Sequence, residues 1–273
     1  METFLKNYEK ARERKNSVLC VGLDPALPQQ RKTNTIPDKY LLGKNPNQAR
    51  LDFCLDIIKL TQDYSCAFKP NQQYVAGFTH EEHRTLTKSI REANALSILD
   101  YKLNDIGDTV ESALYYMHEW GYDALTYNPF LGNLGEAVKI AHGFDPPVGI
   151  IALTLTSNPE SPKYQKDSHL NELPLFLLIS KEIKDVSADG AVVGATGHIT
   201  AREIEEIRAT MGEDKVMLVP GVGFQKGDPS KVLKAGGRNI LINVGRDIIY
   251  SNDPLGKSRH YQDLLQRLAG TEN

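Results

Sequence analysis

Residues 95–121 read ALSILDYKLNDIGDTVESALYYMHEWG, and this one stretch contains a strand, a charged join and a helix. Residues 95–100 form a short apolar run with no polar alternation, as parallel strands covered on both faces do. Asp108, with Glu111 three residues later, reads as a capping box. Val110, Ala113, Leu114 and Met117 then trace one helical face, and Gly121 is the stop signal. Side chains alternate along a strand, so Asp100 and Lys102 face one way while Tyr101 points outward, with Asp105 just beyond. Two carboxylates and an ammonium at a strand end are costly to desolvate without a purpose. The same spacing also fits a surface ion-pair network.

The same unit recurs along the chain. Eight apolar runs, at 17–23, 66–69, 95–100, 124–127, 148–154, 191–194, 216–219 and 239–244, alternate with segments of helical spacing. Besides the helix after residue 106, such segments lie at 47–63, 81–92, 173–186, 200–211 and 229–235. Residues 1–14 add a helix ahead of the first strand, placed to cap a barrel floor. Eight strand–helix units with no compositional break predict an α/β chain, one (β/α)₈ TIM barrel domain over 1–273 with an extra N-terminal helix. The segments 25–46 and 157–172 are long for barrel loops and rise over the C-terminal face. The second has the character of a lid, and the first reads equally well as a solvated insertion.

Two further strand ends carry chemistry. Phe68-Lys69-Pro70-Asn71 closes the second strand, which places Lys69 beside Asp100. An alternating chain of two lysines and two aspartates would result, each ammonium having a carboxylate neighbour to offset burial. After the seventh strand, residues 219–228 carry Pro220, Gly221, Gly223, Gln225 and Gly227, and Gly245-Arg246 follow the eighth. Glycines let an anion approach the backbone, and a guanidinium suits bidentate phosphate contact. A phosphate cradle between strands seven and eight is the usual barrel arrangement.

Composition narrows the partners. Net charge is −3 and the pI about 6.2, so nucleic acid and anionic membrane surfaces are not expected partners. No apolar run approaches the roughly 20 residues that span a bilayer. Residues 1–16 are charged throughout without an apolar signal core, so a cytoplasmic location is expected. Of three cysteines, Cys20 and Cys66 lie in strand-like runs and read as buried thiols of a reduced compartment. His80 and His83 have a metal-ligand spacing but no third ligand nearby, so they read as the exposed start of a helix.

Together these segments, from Val18-Leu19-Cys20-Val21-Gly22-Leu23-Asp24-Pro25 through Thr156-Ser157-Asn158-Pro159 to Arg246, resemble the orotidine 5′-monophosphate decarboxylase family, in its second bacterial-type branch. The resemblance implies decarboxylation of orotidine 5′-monophosphate (OMP) to UMP in pyrimidine synthesis, with no metal and no cofactor. It implies that Asp24 and Lys69 hold the ribose hydroxyls, that Asp100 lies near the substrate carboxylate, and that Lys102 protonates C6. Asp105 and Thr109 would reach into a partner's site, making a homodimer with shared active sites. Ser157 would meet the pyrimidine edge, Pro220 would line the pocket, and Gln225, Gly245 and Arg246 would hold the 5′-phosphate. Lys226 stands where that family commonly has glycine and reads as solvent-facing. Two alternatives are a magnesium-dependent sugar-phosphate decarboxylase or aldolase of the same superfamily and a catalytically silent phosphate-binding barrel. The magnesium enzymes place a carboxylate where this chain has Lys69.

Overall fold

In a computed structural model that describes residues 3–223 and 227–270, the apolar runs are eight strands. They are β1 (Leu19–Leu23), β2 (Ala67–Pro70), β3 (Leu96–Leu103), β4 (Ala124–Tyr127), β5 (Gly149–Leu155), β6 (Gly190–Val193), β7 (Val216–Pro220) and β8 (Ile240–Val244). Each pairs in parallel with its neighbour in sequence, and β8 returns to β1, closing the expected barrel. The helices that follow the strands are α2 (Pro46–Thr61), α3 (His80–Glu92), α4 (Gly107–Trp120), α5 (Leu134–His142), α6 (Leu175–Asp185), α7 (Ala201–Met211), α8 (Pro229–Ala235) and α9 (Pro254–Gly270). Thr79 with Glu82 and Thr200 with Glu203 form reciprocal capping boxes that start α3 and α7.

Asp108 does not cap α4. The helix begins at Gly107 with Ile106 as its N-cap and no side-chain cap bond. Asp105 Oδ1 instead accepts the Ile106 N–H at 2.9 Å and turns the chain into the helix sooner. Asp108 therefore lies in the first turn, where its charge complements the helix dipole.

The N-terminal helix α1 (Phe4–Lys15) sits as expected beneath the barrel. Its Phe4, Tyr8 and Ala11 pack with Cys20, Ala67, Ile98, Ile151 and Leu241 in a core separate from the one between strands and outer helices. Tyr8 is fully buried, and its hydroxyl donates to the Ile240 carbonyl at 2.5 Å. Side-chain alternation now fixes what lies above that floor. Two residues beyond Cys20, Ala67, Ile98, Ala124, Ile151 and Leu241, the inward face presents Gly22, Lys69, Asp100, Thr126, Leu153 and Asn243.

The two long loops are both folded. In 25–46, Ile36 is buried and Arg31 donates to the Asp24 carbonyl at 3.1 Å and the Asn34 carbonyl at 2.7 Å, so the segment is not a free solvated insertion. The 157–172 segment holds a short helix (Ser161–Gln165) and one strand of a hairpin whose halves are His169–Leu170 and Leu173–Pro174. None of the helices among the described residues is long and apolar enough to cross a membrane.

Candidate active site

A cavity of about 1070 Å³ opens at the C-terminal mouth of the barrel. That is slightly above the usual range for small-molecule sites, about 300–1,000 Å³. Its apolar floor is Leu153, Val192 and Leu218. Around its mouth stand Asp24, Lys69, Asp100 and Lys102, from the ends of β1 to β3, and next to Asp24 in the ring the group Pro220, Gly221, Gly223, Gly245 and Arg246, from the ends of β7 and β8.

The charged wall centres on Asp100. Lys69 Nζ donates to Asp100 Oδ2 at 2.6 Å, and Lys102 Nζ to Asp100 Oδ1 at 2.5 Å. Thr126 Oγ1 donates to the same Oδ1 at 3.1 Å and accepts the Lys102 backbone N–H at 2.9 Å. Burial alone would raise the Asp100 carboxyl, but the Lys69 and Lys102 ammoniums outweigh it and hold the group well below the usual carboxylate range. Burial likewise works against the Lys69 ammonium, and the Asp100 and Asp24 carboxylates more than offset it, raising its pKa. The two cations differ in exposure. The Lys69 side chain is 6% exposed, whereas that of Lys102 is 53% exposed and free to meet a ligand.

Lys102 owes its position to an irregular strand end. The β3–β4 register shifts between Leu99 and Leu103, and Lys102 adopts φ of +53°, a left-handed conformation that costs a non-glycine residue energy. The shift lets Lys102 turn back onto Asp100 while its N–H finds Thr126 instead of a strand carbonyl.

Ser157 lies on the cavity wall, held by the loop after β6. Thr196 Oγ1 donates to the Ser157 carbonyl at 3.1 Å. His198 Nε2 is 3.0 Å from Ser161 Oγ and 3.2 Å from the Thr156 carbonyl. Close packing is possible because residue 194 is glycine: a Cβ there would stand 2.8 Å from both Ser157 Cα and Cβ.

Eight residues singled out in the sequence therefore converge: Asp24, Lys69, Asp100, Lys102, Ser157, Pro220, Gly245 and Arg246. Asp105 and Thr109 do not line this cavity; Asp105 turns to its own backbone, and Thr109 is exposed on α4. Gln225 and Lys226 lie outside the described residues. Sequence reading missed Thr126 and Asn243, although strand alternation from Ala124 and Leu241 points to both. It also misplaced His83, which is buried against Trp120 with Nδ1 3.0 Å from the Tyr122 hydroxyl. Among the described residues no three His, Cys, Asp or Glu side chains group as a metal site.

Residues 17–261 match the family model described as Orotidine 5′-phosphate decarboxylase / HUMPS family. The chain is 35% identical to an orotidine 5′-phosphate decarboxylase of Bordetella petrii, covering 92% of this chain and 91% of that one. A second such relative, from Paracidovorax citrulli, is 33% identical over 92% of this chain and 90% of its own length. Among solved structures, UMP synthase of Leishmania donovani superposes with TM-score 0.80 at 26% identity. The alignment covers 98% of this chain but 57% of that longer one. The OMP decarboxylase of the same organism shares the fold, with TM-score 0.78 at 24% identity, covering 98% of this chain and 99% of that one.

Proposed function

Because this chain belongs to the orotidine 5′-phosphate decarboxylase / HUMPS family, we propose that it converts OMP to UMP and carbon dioxide, as one barrel domain acting in the cytoplasm. The observation that carries this reading is the Lys69–Asp100–Lys102 array lining one cavity together with Gly245 and Arg246. Sugar-phosphate enzymes of this superfamily that use magnesium would need an anionic ligand at the end of β2. Here that place is held by the Lys69 ammonium, which repels a divalent cation.

The residues divide the work by chemistry. Gly245 and Arg246, with Gln225, hold the 5′-phosphate, and Asp24 and Lys69 hold the ribose hydroxyls. Ser157 meets the pyrimidine edge and Pro220 lines the pocket. These contacts place the C6 carboxylate beside Asp100. The bond from C6 to the carboxylate carbon breaks, carbon dioxide leaves, and the electron pair stays on C6 in the ring plane. Lys102, fixed by Asp100 and Thr126, stabilises that charge as it develops and transfers a proton to C6. Solvent then restores the lysine's proton. The segment after Ser157, whose Tyr164 and Gln165 line the cavity, acts as a lid.

The working unit is a homodimer with shared sites. Asp105 and Thr109 do not line this chain's own cavity, Asn133 Nδ2 donates to the Asp105 carbonyl at 2.9 Å and so joins the segment after β4 to the start of α4, and Ile106 and Leu131 are exposed on these two segments. Asp105 then completes the partner's charged array.

The test is turnover of OMP with and without a chelator, followed by loss of substrate absorbance. Chelator-insensitive turnover abolished by Lys102→Ala is the expected result. Turnover stopped by the chelator refutes the metal-free assignment, and nucleotide binding without turnover points to a silent barrel. Mixing inactive Lys102→Ala and Asp105→Ala proteins should restore part of the activity, because one site of each mixed dimer is intact.

A further inference from the structure

Asn243 stands out among the cavity residues because its side chain has an enclosed polar atom without a partner. It lies near the end of β8, in register with Pro220 of β7 and Cys20 of β1. Its Oδ1 is buried and makes no hydrogen bond. That oxygen faces backbone: a Cβ built on Gly22 would stand 3.1 Å from Oδ1, 3.2 Å from Gly245 Cα and 3.5 Å from Asn243 Nδ2. The opposite end of the amide borders the cavity that Asn243 lines.

A buried amide oxygen without a donor is unfavourable, and a leucine of similar size would fill the space without that cost. The preceding inward residue of the same strand, Leu241, is apolar. The amide thus contributes nothing to the packing of the barrel that an apolar side chain would not. Its remaining group is the Nδ2 donor. Asn243 comes two residues before Gly245 and packs on Gly22, itself two residues before Asp24. It therefore stands between the groups assigned to the phosphate and those assigned to the ribose.

From this placement, and resting on the nucleotide reading above, we infer that Asn243 is a further substrate-binding residue whose Nδ2 donates to the ribosyl-5′-phosphate segment. The acceptors there, between the sugar hydroxyls and the terminal phosphate oxygens, are the ring oxygen and the bridging 5′-oxygen.

The experiment compares wild type with Asn243→Leu and Asn243→Asp, using UMP and inorganic phosphate as probes in calorimetric titrations, with thermal melts of the unliganded proteins. Asn243→Leu should melt at or above the wild-type temperature yet bind UMP about tenfold more weakly, the size of one lost hydrogen bond. Asn243→Asp, with a carboxylate in place of the donor, should bind UMP more weakly still. Inorganic phosphate, which needs only the cradle, should change less than twofold for Asn243→Leu. With OMP, KM should rise for Asn243→Leu while kcat holds, because the contact is far from C6. UMP affinity within twofold of wild type in the leucine variant, or a lowered melting temperature with equal losses for both probes, overturns the assignment. Wild-type protein that binds phosphate but not UMP would instead overturn the nucleotide reading, and this inference with it.

Discussion

Separating Lys69 from Asp100 by substitution should destabilise the protein in two ways whose pH dependences run in opposite directions. The pair is nearly dry, with side chains 6% and 14% exposed and 2.6 Å between Nζ and Oδ2. Removing one partner of such a pair costs about 3–5 kcal/mol, because the other charge stays buried. A fold of ordinary stability, about 5–15 kcal/mol, survives that loss and can be measured. In Lys69→Met the Asp100 carboxylate keeps only the half-exposed Lys102 cation, so the lower end of the range applies. With its main cation gone, burial raises the Asp100 pKa, and the variant's native state takes up a proton sooner on acidification than the wild type. The deficit relative to wild type is therefore largest at pH 7 and shrinks towards pH 4. In Asp100→Asn the Lys69 ammonium is left with the more distant Asp24, and burial lowers its pKa from the raised wild-type value. Its native state releases a proton sooner on going alkaline, so that deficit shrinks from pH 7 towards pH 9.5. Urea unfolding of the three proteins at pH 4, 7 and 9.5 reads both signs. Deficits below 1 kcal/mol, or deficits that do not change with pH, would refute the account of a desolvated pair.

Two other perturbations have definite outcomes. Gly194→Ala places a methyl 2.8 Å from the Ser157 backbone, so stability should fall by about 1–3 kcal/mol and KM for OMP should rise as Ser157 shifts; melting curves and kinetics check both. Burial pushes the His83 imidazole down to about 4, below its unfolded value of 6.5. The unfolded chain then binds the proton first, and about 3 kcal/mol of stability is lost as pH falls from 6.5 to 4. In His83→Phe that acid sensitivity should be smaller, while the lost Tyr122 hydrogen bond costs about 1 kcal/mol at pH 7, measured by urea midpoints at pH 5 and 7.

The barrel was legible because each strand is a separate apolar run, and a local pattern needs no tertiary knowledge to be read. Lys69 and Asp100 could be paired in advance because adjacent parallel strands present their ends side by side. What escaped depends on contacts from afar. The helix Leu134–His142 is short and glycine-flanked, and its apolar face is defined by the strands it covers. His83 lies in the first turn of α3, a position that looks solvated until Trp120 and Tyr122, from the next strand–helix unit, close over it. Asp105 carries the charge and spacing of a member of the array, yet local backbone bonding competes for its carboxylate. Thr126 lacks the charge that drew attention to its neighbours, although it touches both Asp100 and Lys102.

The plug formed by α1 bears on how the chain is made. That helix leaves the ribosome before any barrel strand, yet its seat is assembled from strands spread from β1 to β8. Tyr8 and the Ile240 carbonyl it reaches are 232 residues apart. Docking must wait until the last strand has been synthesised, so closure of the barrel comes late and carries a high loop-closure cost. Until then the apolar face of Phe4, Tyr8 and Ala11 is exposed on a nascent chain, the period in which a growing polypeptide is most prone to aggregate and most in need of a chaperone.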